Sequence, residues 1–382
     1  MHRLTVGVDA SRNRSGGAVA YLIGILSSEN PSDYGIKEVH LWAPESLLAK
    51  LEDYKWLVKH SPKELQQSLG KQIWWQATKL RKEANRVGCD MMFATDASTL
   101  CRFKPMIVLS QDMLSYEPGA MKDYVFTKQH IRLLVILLIQ NYAFRVSDGV
   151  VFLTEYAAKV IQKSTGSLSR VKCIPHGVDS DFRSIELDHL WPQNPTDEIR
   201  CVYISNAEMY KHQWVVVEAF SILRERGYNV TLQLIGGGKG KAQELLEASV
   251  KKYDPNALFV QVVSFVPHSQ IPEYLSKSNI FVFASSCENM PVTLIEGMSS
   301  GLPIACSNRG PMPEVLQDGG VYFDPEAPAS IVHAIEKIIN NKSIREDSAK
   351  RAKSLSEQYS WQRCADQTWT YIVDTYKELS HE

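Results

Sequence analysis

Excess charge, paired cysteines and long apolar runs are all missing from this chain, and each absence closes off a class of function. Across 382 residues, 42 Lys and Arg balance 43 Asp and Glu, for a formal net charge of −1. No global field therefore draws the chain to nucleic acid. The seven cysteines occur singly, without a Cys-x-x-Cys pair, which argues against a metal cluster or a disulfide scaffold. With no secretory signal in view either, the sequence predicts a reducing, cytoplasmic setting. Its longest uncharged apolar run, Leu133–Ile139, is far short of the roughly 20 residues that span a bilayer. Low-complexity tracts are absent as well.

What remains has an ordinary globular composition, with 44% hydrophobic and 22% charged residues and 17 prolines spread along the chain. The length suffices for two domains, each with its own core. Charge is unevenly divided: residues 1–182 are basic by about +5 and the remainder acidic by about −6. A mildly basic first half suits an anionic partner such as a phosphorylated lipid or membrane surface.

Strand-like and helix-like patterns alternate almost throughout, the sequence sign of parallel βαβ units. Leu4–Val8, Val39–Trp42, Met91–Ala94, Met106–Leu109, Gly149–Leu153 and Val171–Ile174 read as strands, with long helical stretches near 44–86 and 119–147. A Pro-, Asn- and Asp-rich stretch reaching Asp197 marks a domain boundary. Beyond it the pattern restarts with strands at Arg200–Ile204, Thr231–Ile235, Phe259–Val262, Ile280–Ala284 and Pro303–Cys306, followed by a short one at Val321–Phe323. The fold class is α/β, with two Rossmann-like parallel-sheet domains, residues 1–178 and 179–360. Ligands of such pairs favour the cleft between domains.

Glu288 and Glu296 carry the most information. Glu288 follows the run Ile280–Ala284 after a short polar link, and Glu296 lies on the small-residue helix that comes next. In an open parallel sheet, ligands bind where strands hand over to helices, because free backbone N–H groups and a positive helix end point there. Two acceptor-only carboxylates at such a place read hydroxyls, as a sugar or a ribose would present them. Lys211, in the strand-to-helix link Ser205–Gln213, is a cation near a positive helix end. That misfit is relieved if an anion such as a phosphate sits there. Gly16 and Gly17 open a helix after the first strand, where glycine lets a diphosphate approach the backbone; a plain turn is the alternative.

Other segments are less specific. The run Gly236–Lys241 is one residue short of a P-loop and has Ala242 where Ser or Thr would hold magnesium. It reads as a turn permitting close backbone approach, for instance to a nucleotide base. Glu314, in Gly310–Val315, fits a capping carboxylate at a helix start. Basic residues in Phe126–Arg132 precede the apolar run from Leu133. That pattern reads first as a buried core helix and second as one docking on a membrane surface. Trp56, Trp74 and Trp75, set among lysines, keep peripheral membrane or lipid-acceptor contact in view. No DxD-like acidic cluster stands at a strand end, so no metal is expected.

In order, the Gly-Gly loop, the IPHGVD segment, the lysine after the first strand of the second domain, Glu-x7-Glu, GLPI and GPMPEV resemble the family-4 glycosyltransferases. These are retaining enzymes of the GT-B fold, in which two Rossmann-like domains face each other across a cleft. The resemblance covers nearly the whole chain except residues 40–90, and the YKHQ form of the lysine motif is similar to members that build bacterial O-antigen or other surface polysaccharide. It implies a nucleotide-diphosphate sugar as donor and a glycan or lipid-linked glycan hydroxyl as acceptor, with transfer at the cytoplasmic face of the inner membrane. It also implies roles. Lys211 neutralises the donor diphosphate, Glu288 contacts the transferred sugar and Glu296 holds the ribose. The amides of Val292 and Thr293 face phosphate and sugar, Gly16 and Gly17 lie near the diphosphate, and a last helix, about 361–380, returns to the first domain.

Three positions depart from the family pattern. Ser205-Asn206 stands where many members carry an arginine, so Asn206 borders the donor without its charge. Pro291 replaces a frequent glycine and donates no N–H. Gln111-Asp112 occupies a strand end where relatives often have histidine, which leaves Asp112 either as the group that orients or deprotonates the acceptor, or as the start of a turn. The rival readings are a GT-B-like epimerase acting on the nucleotide sugar alone, a phosphorylase, and a non-catalytic sugar-nucleotide-binding subunit. Donor sugar, base, acceptor and linkage are not written in the spacing.

Overall fold

The structure, a computed structural model, describes residues 3–14, 16–187, 191–192, 194 and 197–381. Ser15 and residues 188–190, 193 and 195–196 of the boundary stretch lie outside that set. The chain divides into two compact units, Met1–Gly177 with Tyr359–Glu382, and Val178–Gln358.

The first unit is built on seven parallel strands: β1 (Leu4–Asp9), β2 (Ile36–Trp42), β3 (Leu57–His60), β4 (Met91–Ala94), β5 (Met106–Leu109), β6 (Gly149–Phe152) and β7 (Val171–Cys173). Their order is β3-β2-β1-β4-β5-β6-β7, and Val6 of β1 pairs with both Val39 and Met91. Every residue of β1, β4, β5 and β6 is buried. Helices cover both faces of such a sheet, so its central strands read as unbroken apolar runs instead of alternating patterns.

The second unit has six parallel strands: β8 (Ile199–Ile204), β9 (Val230–Ile235), β10 (Val260–Val263), β11 (Ile280–Phe283), β12 (Ile304–Ser307) and β13 (Val321–Phe323). Their order is β10-β9-β8-β11-β12-β13. In both sheets the winding reverses beside the unit's first strand, between β1 and β4 and between β8 and β11. At that point the two flanking loops diverge to opposite faces and leave a crevice at the carboxyl edge.

Two expected helical stretches are corrected. The stretch near 44–86 breaks into helix Glu45–Leu48, strand β3, a 3-10 turn at Lys63–Gln66 and helices Leu69–Thr78 and Leu80–Arg86. Pro62 has no N–H to extend a helix, and Leu57–His60 gain a full ladder against β2, with His60 opposite Trp42. The His60 ring lies 4.8 Å from Trp42 and is hydrogen-bonded at 2.9 Å to His40. The stretch near 119–147 begins as a 3-10 turn, Ala120–Tyr124, and becomes helix Lys128–Val146 only after Phe126, whose φ is 63°. Thr127 then caps the helix by accepting from the His130 amide.

Helix Trp361–His381 belongs to the first unit. It is tied there by Trp369 Nε1 to Ile25 O at 3.3 Å, by Tyr21 and Thr368 hydroxyls 3.2 Å apart, and by Tyr371 to Arg170 O. Gly24 makes the approach possible, since a Cβ there would stand 2.3 Å from the Trp361 ring. Among the described residues, no helix is long and apolar enough to cross a membrane.

Candidate active site

The crevice between β8 and β11 is framed by the loop after each strand, and each brings one charged side chain. Lys211 ends the 3-10 turn Met209–Lys211, and His212 follows in the left-handed region at φ 47°. Three hydrogen bonds set that turn: Tyr203 OH to Lys211 O at 2.7 Å, Ser286 N to Tyr210 O at 2.8 Å, and His212 Nε2 with Ser286 Oγ at 2.8 Å. Gln213 braces it with 2.9 Å bonds to both Ser205 oxygens. Held this way, Lys211 forms an ion pair with Glu288, and the two side chains are only 14% and 15% exposed. The ammonium also lies 5.3 Å from the Tyr210 ring and 5.5 Å from that of Phe283. A cation kept this dry has strong attraction for whatever anion reaches it.

Glu296 sits in helix Val292–Ser300 and is buried. Its place is fixed by the next residue: a Cβ on Gly297 would lie 2.6 Å from the Phe281 ring, so only glycine lets this helix settle on β11. Glu296 Oε1 is 2.6 Å from His268 Nε2, and His268 Nδ1 is 3.8 Å from Asp179. Burial pushes the Glu296 carboxyl up and His268 pulls it down, while the hydrogen bond to Glu296 raises the imidazole. The half-exposed imidazole is thus raised by its carboxyl partner, and the Glu296 carboxyl, on which burial acts most strongly, is raised as well.

The helix start differs in part from expectation. Val292 N–H donates to Met290 O at 2.9 Å, so that amide is spent on a tight turn imposed by Pro291. The Thr293 amide makes no backbone hydrogen bond among the described residues. Asn206 is exposed on the loop after β8. Nearby, Gly236 and Gly238 serve the protein's own backbone: a Cβ on either would come within 2.7 Å of Ser205 O or Ala207 O. Those close approaches account for Gly236 and Gly238. Glu314 lies in the first turn of helix Met312–Leu316, which no side chain caps.

In the first unit, Gly16 adopts φ 63° and ψ −149°, a conformation essentially confined to glycine, just ahead of helix Gly17–Ser28. A Cβ at Gly16 would meet nothing within 4 Å, so open space surrounds it. Buried Asn13 fixes the loop by donating to Ala18 O at 3.2 Å and Thr95 Oγ1 at 3.0 Å. Below it Asp9, whose carboxyl burial pushes up, accepts from Ser11 and Gln76. His176 is buried against Tyr21, its Cε1 3.9 Å from a Cβ built on Gly17, and among the described residues neither ring nitrogen has a hydrogen-bond partner. Asp112 accepts from Leu114 N at 2.9 Å, closing a turn, and burial raises its carboxyl.

Comparison with known proteins bears on the second unit. Residues 188–355 match the family described as Glycosyl transferases group 1. The matched stretch lies within the second unit and covers less than half of the chain. Among curated relatives, O-antigen chain mannosyltransferase B of Escherichia coli is 26% identical over 178 residues, 47% of this chain and 45% of the relative. D-inositol 3-phosphate glycosyltransferase of Paenarthrobacter aurescens is 25% identical over 251 residues, 61% and 59% respectively. The matched segments thus span about half the length of these relatives. Over 99% of the chain and all of the solved structure, sucrose-phosphate synthase of Thermosynechococcus elongatus superposes with a TM-score of 0.74 at 15% identity. Anabaena HepE, solved in complex with UDP, covers the same shares with a TM-score of 0.69 at 16% identity. These likenesses place the fold of the whole chain in the GT-B class.

The second unit thus brings Lys211 and Glu288 together, and sets Glu296 against a histidine that sequence reasoning passed over. His268 follows β10 at the carboxyl edge of the sheet, and that position was its only signal. Asp9, Asn13 and the Tyr203–Ser286 brace were equally silent, because partners such as Gln76, Thr95 and Tyr210 are brought to them from other parts of the chain.

Proposed function

We propose that the protein is a retaining glycosyltransferase of family 4 that takes a sugar from a nucleotide-diphosphate donor and passes it to a hydroxyl of a glycan or lipid-linked glycan. The observation that carries the reading is the dry Lys211–Glu288 pair at the point where the second sheet reverses its winding. The likeness to an O-antigen mannosyltransferase supports a role in surface-polysaccharide synthesis, and the UDP complex of a structural neighbour supports a nucleotide donor.

In this reading Lys211 exchanges Glu288 for the donor diphosphate, and Glu288 turns to hydroxyls of the transferred sugar. Glu296, backed by His268, accepts from the ribose, while the Thr293 amide and the helix dipole face the charge growing on the leaving group. Gly16 and Gly17 keep the first unit's helix start clear of side chains for the diphosphate. No enzymatic nucleophile is assigned. The acceptor oxygen bonds to the anomeric carbon as the bond to the diphosphate oxygen breaks, and the departing diphosphate takes the acceptor proton on the same face. Catalysis then rests on positioning and electrostatics. Asp112 orients the acceptor hydroxyl, and no metal ion is required.

The test is transfer activity in purified protein with a donor panel and product analysis. Lys211→Ala and Glu296→Ala, each shown to be folded, lower transfer at least a hundredfold. The product keeps the donor's anomeric configuration, and excess EDTA leaves the rate unchanged. Wild-type turnover in either variant, an inverted product, or loss in EDTA overturns the corresponding part. Product formed from donor with no acceptor would turn the reading to an epimerase.

A further inference from the structure

Helix Lys128–Val146 was expected first as a buried core element. It is one in part, with Leu133 buried in its first half and Gln140, Asn141, Ala143 and Phe144 buried in its second. By contrast, Ile131, Leu134, Val135, Leu138 and Tyr142 are exposed, at spacings that set them on one helix face. Val125 and Phe126 extend the stripe at its N-terminal end. Phe126 is wholly exposed although its backbone is held at φ 63°, which costs energy for an aromatic residue. Apolar surface on this scale is unusual for a protein surrounded by water.

The charges around the stripe are mostly positive. Lys122, Lys128 and Arg132 are exposed along it, and Asp123 is the only acidic residue between 119 and 142. The helix is firmly seated, through Tyr116 OH to Asn141 Oδ1 at 3.0 Å and Ser115 Oγ to Leu133 O at 3.1 Å, so the stripe keeps its form. We propose that this face, from Lys122 to Tyr142, docks on an anionic lipid bilayer, lying in the interface with its apolar stripe among the acyl chains and its cations at the headgroups.

Charge decides the occupant. A second copy of the chain placed face to face would bring like charges together, whereas acidic lipid headgroups complement all three cations. The helix does not cross the bilayer; it lies on it, as a basic amphipathic element does. The helix follows β5, so its N-terminal end stands at the carboxyl edge of the first sheet, the edge that also holds Gly16 and Asp112. Arg132 is close enough for its charge to bear on Asp112. Docking there presents that edge to a lipid-anchored acceptor, a consequence that rests on the proposed transfer, whereas the docking itself does not.

Flotation of the intact protein with phosphatidylcholine vesicles, and with vesicles containing phosphatidylglycerol, tests the proposal. The wild type floats with the anionic vesicles and stays behind with the neutral ones, and raised salt weakens the association. Lys122→Glu with Lys128→Glu and Arg132→Glu lowers partitioning at least tenfold, and so does Phe126→Ser with Ile131→Ser and Leu138→Ser. Both variants keep the wild-type melting point and its response to nucleotide sugars, which separates this result from failure of the donor reading. No binding to anionic vesicles, or equal binding by both variants, overturns the proposal. So does a wild-type dimer that these substitutions dissociate.

Discussion

The Lys211–Glu288 pair gives the site its character, because neither charge is well hydrated and each is held by the other. Removing the carboxylate leaves Lys211 as an unpaired cation in a dry place. Glu288→Gln is therefore expected to bind a nucleoside diphosphate at least as tightly as the wild type, while transfer falls a hundredfold or more. Calorimetry beside a transfer assay checks this, and loss of diphosphate binding in the variant would contradict it. A second residue-scale effect concerns acid. Burial lowers His176 from 6.5 to about 3, and it lowers His40 and His60 as well. As pH falls below about 6.5, the unfolded chain takes up protons that folded His176 refuses until about pH 3, so stability declines through that window. His176→Phe keeps a ring against Tyr21 and Trp361, and it should flatten much of the decline in melting point, leaving the share of His40 and His60. An unchanged acid limb would count against it. Of these residues Lys211, Glu288 and Glu296 were legible from spacing; His268 was not, since its partner lies on another element.

At the scale of elements, runs such as Met91–Ala94 and Ile280–Phe283 announced central parallel strands, because both faces of those strands are buried. Strand β3 escaped notice. It lies at the sheet edge, only Leu57 is fully buried, and polar Lys59 and His60 break the apolar run. The exposed stripe on helix Lys128–Val146 was also misjudged, since apolar residues imply a core unless something else covers them. Helix Val292–Ser300 shows how an element positions chemistry. Gly297→Ala would force a methyl to 2.6 Å from the Phe281 ring, and the helix would have to lift from β11. Such overpacking costs typically about 1–3 kcal/mol. The variant should melt earlier and also lose donor affinity, because Glu296 moves with the helix. Wild-type affinity in a destabilised protein would show that Glu296 is placed by something else.

At the scale of the molecule, two sheets of related winding were legible as a restart in the strand–helix rhythm near residue 200. The return of the chain to its first unit was implied only by family resemblance. Helix Trp361–His381 buries Trp369, Ile372 and Val373 there, so deleting residues 359–382 should destabilise the first unit by more than about 3 kcal/mol, read as an early unfolding transition. The two-transition melt of such a truncation would leave the second unit's own transition in place. The central claim is that this domain holds a nucleotide-activated sugar through Lys211 and Glu296, and a melting-point screen of UDP-, GDP- and dTDP-sugars meets it directly, because a ligand bound only by the folded state raises the midpoint. The account predicts a concentration-dependent rise with one base, weakened at least tenfold in apparent affinity by Lys211→Ala. No rise with any nucleotide sugar, or the same rise in the variant, would contradict it.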